Sequence, residues 1–363
     1  MIPALRDIAH RFLGRGEGAI TVPPFDGALK PNQALEHAET IAELPHAEDL
    51  ASDGTTLYVA DGTAVLRMDG GAFAPVRRFD QPLTALCVLP HGRVAVALDG
   101  REVRVFTPGD ATDAVVTGSG MTAVNALAPG PGGTLLATDG STERPYGEWG
   151  RDLLSRGRSG RLLSIDPASR QIRVLASGLR YAFGAATAGD TVLVSESWRH
   201  RLIAIGGNGQ IKPTFDHLPV YPSRLSPAPG GGFWLTAFTA RTQLIEFVLR
   251  EATYRRRMMA EIDPEFWVVP RLRAGQSFRE PMQGAHLKTM GIIKPWAPPR
   301  SYGLVVRLGP DCAPLYSLHS RVDGVNHGVV AAVQIADSLY VLAKGPGRLL
   351  RLNLSDVKRE AGA

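Results

Sequence analysis

Two polar residues stand at the mouths of apolar runs, where a side chain could meet a ligand. Asn125 opens VNALAPGPGGTLLATDGS (124–141), which predicts a strand, a tight turn and a second strand. His327 directly precedes GVVAAVQI (328–335). An amide oxygen can bind a cation, and an imidazole can act as a general base near neutral pH. The residues alone leave two alternatives open, a turn-capping asparagine and a hydrogen-bonded structural histidine.

Further candidates lie in two long segments between predicted strands. STERPYGEWGRDLLSRGRS (141–159) contains Tyr146 and Trp149, and QGAHLKTMGIIKPW (283–296) contains His286 and Lys288. These side chains would contact a substrate if the segments fold over a binding site, whereas loop anchoring or surface placement is the alternative. The chain has no Gly-x-Ser-x-Gly, His-Glu-x-x-His or Gly-Lys-Ser/Thr motif.

The stretch that contains Asn125 is one of six with the same pattern of strand, polar or glycine turn, and strand. The second strands of these pairs begin at Leu57, Val94, Leu135, Val192, Phe233 and Leu339. Three of the intervals are 37, 41 and 41 residues long, and the others carry insertions. Repeats of this length are typical of arrays of small β-units.

A third strand follows each pair, and a fourth, outer strand can be read in the first five units. The last unit lacks its fourth strand, which AETIAEL (38–44) can supply by pairing with GRLLRLNL (347–354). Such pairing closes a ring and removes an exposed sheet edge. The sequence therefore predicts an all-β fold, a six-bladed β-propeller with four-stranded blades.

The repeats also set the predicted domain boundaries. We expect an N-terminal extension over 1–33, the propeller over 34–354 and a C-terminal tail over 355–363. Two insertions, 141–159 in blade three and 239–301 in blade five, enlarge the propeller. The second is helical in composition at its start, and we interpret it as either a lid or an external brace.

Composition excludes several classes of protein. The net charge is +5 and the densest basic run is Arg255-Arg256-Arg257, too short for a nucleic-acid stripe. Two cysteines, Cys87 and Cys312, form no disulfide framework and are expected to be buried free thiols. No apolar run approaches the ~18 residues of a transmembrane helix, and no signal peptide is visible. We therefore expect a cytoplasmic protein.

Several ordered motifs resemble the strictosidine synthase-like family, part of the SMP-30/gluconolactonase group of six-bladed propellers. They are PPFDGAL (23–29), Gly160-Arg161-Leu162, Asp166-Pro167, Gly178-Leu179 and Glu196-Ser197. The resemblance covers most of residues 20–354. It implies a site at one end of the central channel, where the innermost strands begin, and in metal-dependent relatives a divalent cation, usually calcium.

The carried-over ligand pattern is only half present. Glu48 and Asn125 match two oxygen ligands of the family, but Phe183 replaces an asparagine, and Ser223, followed by Arg224, replaces an acid. Phenylalanine offers no ligand and an arginine repels a cation, so we predict no cofactor and weak or absent calcium binding. If a divalent cation is bound, Glu48 and Asn125 are its expected ligands.

Three functions stay open. The first is a small-molecule hydrolase of the lactonase or arylesterase type, in which Glu48, Asn125, Arg224 and His327 converge on one channel end. Its predicted catalytic residues are His327 and Glu48, and its predicted substrate-binding residues are Asn125, Arg224, Ser223, Phe183, Tyr181, Trp149 and His286. The second is a non-catalytic propeller that binds a metabolite or a protein. The third is condensation of the strictosidine synthase type, although GVVAAVQI lacks the glutamate that the resemblance requires there.

Overall fold

Six four-stranded antiparallel sheets form a closed ring in the computed structural model, which describes residues 22–110, 112–118, 120–273, 288–289, 292–293, 301–320 and 324–361. Blades one to three comprise Ala47–Ser52, Leu57–Asp61, Ala64–Asp69 and Ala72–Arg78; Leu83–Val88, Val94–Leu98, Glu102–Phe106 and Asp113–Thr117; Val124–Pro129, Leu135–Asp139, Gly160–Asp166 and Gln171–Leu179. Blades four to six comprise Ala182–Ala188, Thr191–Glu196, Arg201–Gly206 and Ile211–Phe215; Val220–Pro227, Phe233–Ala240, Leu304–Leu308 and Pro314–His319; Val329–Ile335, Ser338–Ala343, Arg348–Asn353 and Glu39–Glu43. The predicted six-bladed propeller is confirmed.

The inner strands are buried on both faces because each blade packs against its two neighbours. In blade two the strand Val94–Leu98 (VAVAL) is buried at every residue. Small and β-branched side chains suit such a position, since they pack flat against an adjacent sheet. The turn into the second strand of blade three uses Gly132, whose φ of 63° favours a glycine.

The ring closes as predicted, with the N-terminal strand Glu39–Glu43 completing blade six. It pairs antiparallel with Arg348–Asn353, and the register aligns Glu39 with Arg351. The Arg351 Nη2 atom lies 2.6 Å from the Glu39 Oε2 atom. The last blade thus combines strands from both ends of the chain, so Arg348–Asn353 is paired on both sides and is not an edge strand.

The insertions in blades three and five pack against each other. The first contains the helix Trp149–Ser155, and the second contains the helices Gln243–Arg250 and Ala252–Glu261. Leu154, Val248, Met258 and Trp267 form a small apolar cluster between them. Residues 288–289 pair with residues 292–293 in a two-stranded ladder.

Both termini of the described chain pack on the propeller. The 3-10 turn Gly27–Leu29 lies against blade five, where the Phe25 ring is 5.7 Å from that of Tyr302. The helix Leu354–Ala361 follows the last strand and buries Leu354 and Val357. Both cysteines are buried and free, as expected. Among the helices of the described residues, none combines the length and the apolar character needed to cross a membrane.

Candidate functional site

A partly open cavity of about 340 Å³ lies where innermost strands of the propeller begin. Phe183 and Val330, each the second residue of an innermost strand, form part of its wall. Leu272, from the blade-five insertion, reaches the cavity from outside the ring. Its lining residues in the described chain are Tyr146, Trp149, Tyr181, Phe183, Trp198, Phe238, Leu272, Val330 and Lys344.

Six aromatic rings give the cavity a rigid apolar wall. Tyr181 and Trp198 stack with ring centroids 4.4 Å apart, and Trp149 meets Phe238 edge-on at 5.8 Å. Trp198 is further fixed by its indole Nε1, which donates to the Asp152 Oδ1 atom at 2.7 Å. Burial raises the pKa of Asp152, which is 2% exposed. The Asp152 carboxylate does not line the cavity itself, but it fixes the orientation of the Trp198 indole, which does.

Glu48 forms the polar end of the site with two side chains from distant parts of the chain. The Tyr146 hydroxyl donates to Glu48 Oε1, and the Lys344 ammonium lies 2.5 Å from Glu48 Oε2. The carboxylate is mostly buried, with a side-chain exposure of 12%. Burial and the Glu48 charge raise the pKa of Tyr146 well above 10, so its hydroxyl keeps its proton at neutral pH.

Arg224 and Asp49 lie behind Glu48, inside the channel. The Arg224 Nε atom is 3.1 Å from Asp49 Oδ2, and Nη2 is 4.0 Å from Glu48 Oε1. The guanidinium carbon lies 5.2 Å from the centroid of the Phe183 ring, a cation–π geometry. The predicted approach of Arg224 to Glu48 is therefore present, with Phe183 beneath the guanidinium.

Asn125 and Ser223 hold neighbouring strands together. The Asn125 Nδ2 atom donates to the Ala182 carbonyl at 2.9 Å, and its Oδ1 accepts from the Thr138 hydroxyl at 2.7 Å. The Ser223 and Thr236 hydroxyl oxygens are 2.8 Å apart. Both residues are fully buried. Their polar groups are engaged within the protein, so of the two alternatives for Asn125 a structural role fits these contacts better than a ligand role.

Of the two predicted histidines, the structure describes only His327, which does not line the cavity. His327 Nδ1 lies 2.7 Å from the Ser301 hydroxyl, and the ring is buried outside the lining of the described cavity. His286 lies outside the described residues. The role of His327 as a general base stays a prediction, and so does substrate binding by Tyr181, Phe183 and Trp149, which line the described cavity.

A divalent cation does not fit this channel end. Among the described residues, no three His, Cys, Asp or Glu side chains are grouped closely enough to hold a metal ion. The amide oxygen of Asn125 is occupied by Thr138, and Phe183 supplies no donor atom. The Arg224 guanidinium lies where a cation would have to approach Glu48 and Asp49.

Sequence reasoning missed Lys344 and gave Asp49 no role. A signal for Lys344 existed in the repeats, because an aspartate before glycine ends the second strand of two other blades, at Asp61 and Asp139, and directly follows it in a third, at Asp99. In blade six the same place reads Lys344-Gly345. A lysine before this glycine, where three other blades have an aspartate, distinguishes blade six in the sequence.

Comparisons with known proteins support the fold and give distant relatives. No family model matches the chain. Human adipocyte plasma membrane-associated protein is 27% identical over 278 residues, 66% of this chain and 66% of that protein, so the chain spans slightly less than two thirds of this relative. A gluconolactonase from Xanthomonas campestris superposes with a TM-score of 0.52 at 14% identity, covering 88% of each chain. The calcium-binding protein regucalcin from Agrobacterium tumefaciens gives a TM-score of 0.53 at 10% identity, covering 87% of this chain and 92% of that one. These similarities establish a six-bladed propeller of gluconolactonase-like fold.

Proposed function

We propose that this protein is a small-molecule hydrolase that opens an ester or lactone bond in the aromatic cavity. The observation that carries the proposal is the Glu48 carboxylate, held between the Tyr146 hydroxyl and the Lys344 ammonium, whose residues both line the otherwise apolar cavity. The gluconolactonase-like fold supports the same class of chemistry, by analogy of fold.

The group of Glu48, Tyr146 and Lys344 supplies two requirements of ester hydrolysis, a donor that stabilises the developing oxyanion and a general base. Negative charge develops on the carbonyl oxygen when water adds, and the Lys344 ammonium can stabilise it with a second of its three N–H donors, whereas the single Tyr146 hydroxyl proton is already donated to Glu48. Each carboxylate oxygen of Glu48 accepts one of these donors and keeps a second lone pair. Glu48 can therefore take the proton from the attacking water and return it to the leaving alkoxide.

The lining of the cavity indicates the kind of substrate. Lys344 is the single charged residue among the described lining residues, and six others are aromatic. A polyhydroxylated sugar lactone would leave most of its hydroxyl groups without partners there, at a cost for each buried group. We therefore propose an ester or lactone with an aromatic or alkyl body, which stacks on Trp149 and Phe183.

The test compares turnover of phenyl acetate, dihydrocoumarin and glucono-1,5-lactone by the wild type and by Glu48→Gln. We expect hydrolysis of the first two in preference to the sugar lactone, and a fall in kcat/KM of roughly 100-fold or more in the variant, as for loss of a general base. Glu102→Gln, on the third strand of blade two, is the matched control and keeps wild-type turnover. Full activity of Glu48→Gln, or preference for gluconolactone, contradicts the proposal.

A second function, binding without catalysis, is favoured by one specific observation. Both oxygens of Glu48 already carry a donor, an arrangement that also suits a static polar anchor. Trp149 and Trp198 report on the cavity, so ligand binding changes tryptophan fluorescence whether or not a bond is broken. A saturable fluorescence change with all three esters intact after incubation would support the binding function and exclude the hydrolase.

A further inference from the structure

Arg224 connects four blades through the centre of the channel. It is the fifth residue of the innermost strand Val220–Pro227 and is 6% exposed. Its Nη1 donates to the Glu48 carbonyl at 3.0 Å and lies 3.5 Å from the Val330 carbonyl. Its Nη2 donates to the Thr84 carbonyl at 2.8 Å. Blades one, two and six thus direct backbone oxygens at one guanidinium that belongs to blade five.

Two carboxylates face the same guanidinium. Asp49 Oδ2 is 3.1 Å from Nε and also accepts the Leu86 amide at 2.9 Å, while Oδ1 accepts the Leu50 amide. Burial raises the pKa of Asp49 to about 6, against the opposing charge of Arg224, so Asp49 is ionised at slightly alkaline pH. Burial acts to lower the pKa of Arg224, but Asp49, Tyr146 and Glu48 together raise it.

We propose that the Arg224 guanidinium is the resident cation of the channel, in the place of a divalent metal ion, and that its removal uncovers an oxygen cluster that binds one. The cluster consists of the carbonyl oxygens of Glu48, Thr84 and Val330 and carboxylate oxygens of Asp49 and Glu48. Carbonyl and carboxylate oxygens are the ligands that calcium prefers.

The charge of the channel explains why some cation must be present. Glu48 and Asp49 are adjacent in sequence, and both are buried. Two buried carboxylates without positive partners are strongly destabilising. Arg224 and Lys344 supply two positive charges, so the four groups are balanced without any ion from solution. This inference is independent of whether the cavity hydrolyses a substrate.

The experiment measures thermal midpoints at slightly alkaline pH, with calcium or with a chelator. The wild type should show the same midpoint in both. Arg224→Ala should lose roughly 10 °C in chelator, as expected for an unpaired buried charge in a large domain, and calcium should restore most of the loss. The double variant Arg224→Ala/Asp49→Asn should not respond to calcium, because it lacks a ligand.

Arg307→Ala is the matched control. The Arg307 guanidinium donates to the Gly231 carbonyl at 2.6 Å and lies 5.5 Å from the centroid of the Trp234 ring, but it has no carboxylate partner among its described contacts. Its midpoint should be insensitive to calcium. Arg224→Gln is the second variant, used if Arg224→Ala does not fold in chelator. The proposal is overturned if calcium raises the thermal midpoint of the wild type as much as that of the Arg224 variants. It is also overturned if calcium neither stabilises nor folds the Arg224 variants.

Discussion

At the scale of single residues, the channel end is governed by buried charge. Asp49 is 2% exposed, accepts two backbone amides and faces Arg224, yet the desolvation of its carboxylate outweighs these favourable contacts. The native protein therefore holds a proton on Asp49 more tightly than the unfolded chain does. A carboxylate with a raised pKa weakens the native state wherever it is ionised.

This residue gives a prediction with a defined pH window. The pKa of Asp49 rises from 3.8 to about 6 on folding, so its ionisation lowers the free energy of unfolding as pH rises through that interval. Asparagine cannot ionise. The free energy of unfolding of Asp49→Asn, minus that of the wild type, should therefore increase by on the order of 3 kcal/mol across the window. Urea unfolding at several pH values measures it, and a difference that stays flat with pH would refute the assignment.

At the scale of elements, Glu246 of the blade-five insertion contacts charged and polar side chains at the edge of the ring. The helix Gln243–Arg250 is capped by the Thr242 hydroxyl, which accepts the Ile245 amide at 3.2 Å. Glu246, in its first turn, lies 3.1 Å from Arg241 Nε and 3.3 Å from His200 Nε2. Because the same insertion carries Leu272 to the cavity, this contact helps to position one wall of the site.

The second prediction concerns the contacts of Glu246 with Arg241 and His200. Burial alone would raise the pKa of Glu246, but the hydrogen bond from His200 and the charge of Arg241 outweigh it and lower the pKa from 4.5 to about 2. A lowered pKa means that the carboxylate stabilises the native state above about pH 4.5, and that this stabilisation is lost as pH falls towards 2. Glu246→Gln should cost on the order of 3 kcal/mol at neutral pH, and the loss should shrink in acid.

Thermal or urea unfolding across this pH range tests the prediction. Glu261→Gln is a suitable control, because Glu261 forms an exposed pair with Arg257 on the following helix, at 3.1 Å. Exposed pairs of this kind contribute little to stability, so this variant should differ little from the wild type at any pH. Equal effects of the two substitutions would show that the contacts of Glu246 contribute no more than an exposed pair.

At the scale of the whole molecule, ring closure decides stability. The strand Glu39–Glu43 is the outer strand of blade six. Leu35, four positions before this strand, is completely buried. Leu35 also donates its backbone amide to the His319 carbonyl of blade five at 3.0 Å. Residues 34–43 thus join the last two blades, and their loss would expose both a sheet edge and apolar surface.

The third prediction follows from this closure. A chain that lacks residues 1–44 should show no cooperative thermal transition, because Arg348–Asn353 becomes an unpaired edge strand. A synthetic peptide of residues 34–46 should restore part of the transition, and a scrambled peptide of the same composition should not. An unchanged midpoint in the truncated chain, measured by circular dichroism, would contradict the role of the closure.

Much of the fold could be predicted from the sequence because its determinants are local and repeated. Alternating apolar residues, glycine turns and an interval near 40 residues recur, and each is visible in a short window. The missing fourth strand of the last unit pointed to AETIAEL for the same reason. The sequence also identified Glu48, Phe183 and Arg224 as residues of innermost strands, although Arg224 is the fifth residue of its strand, whereas Glu48 and Phe183 are the second of theirs.

What each polar group does was decided by the tertiary structure alone. Lys344 meets Glu48 across 296 positions of the chain, and Tyr146 meets it across 98, from a loop whose path no repeat predicts. Asn125 resembles a ligand in sequence, but its amide is satisfied by Ala182 and Thr138. The physical reason is that the hydrogen bonds and the desolvation of a polar group depend on which side chains from other blades contact it. Only closure of the ring brings these side chains together.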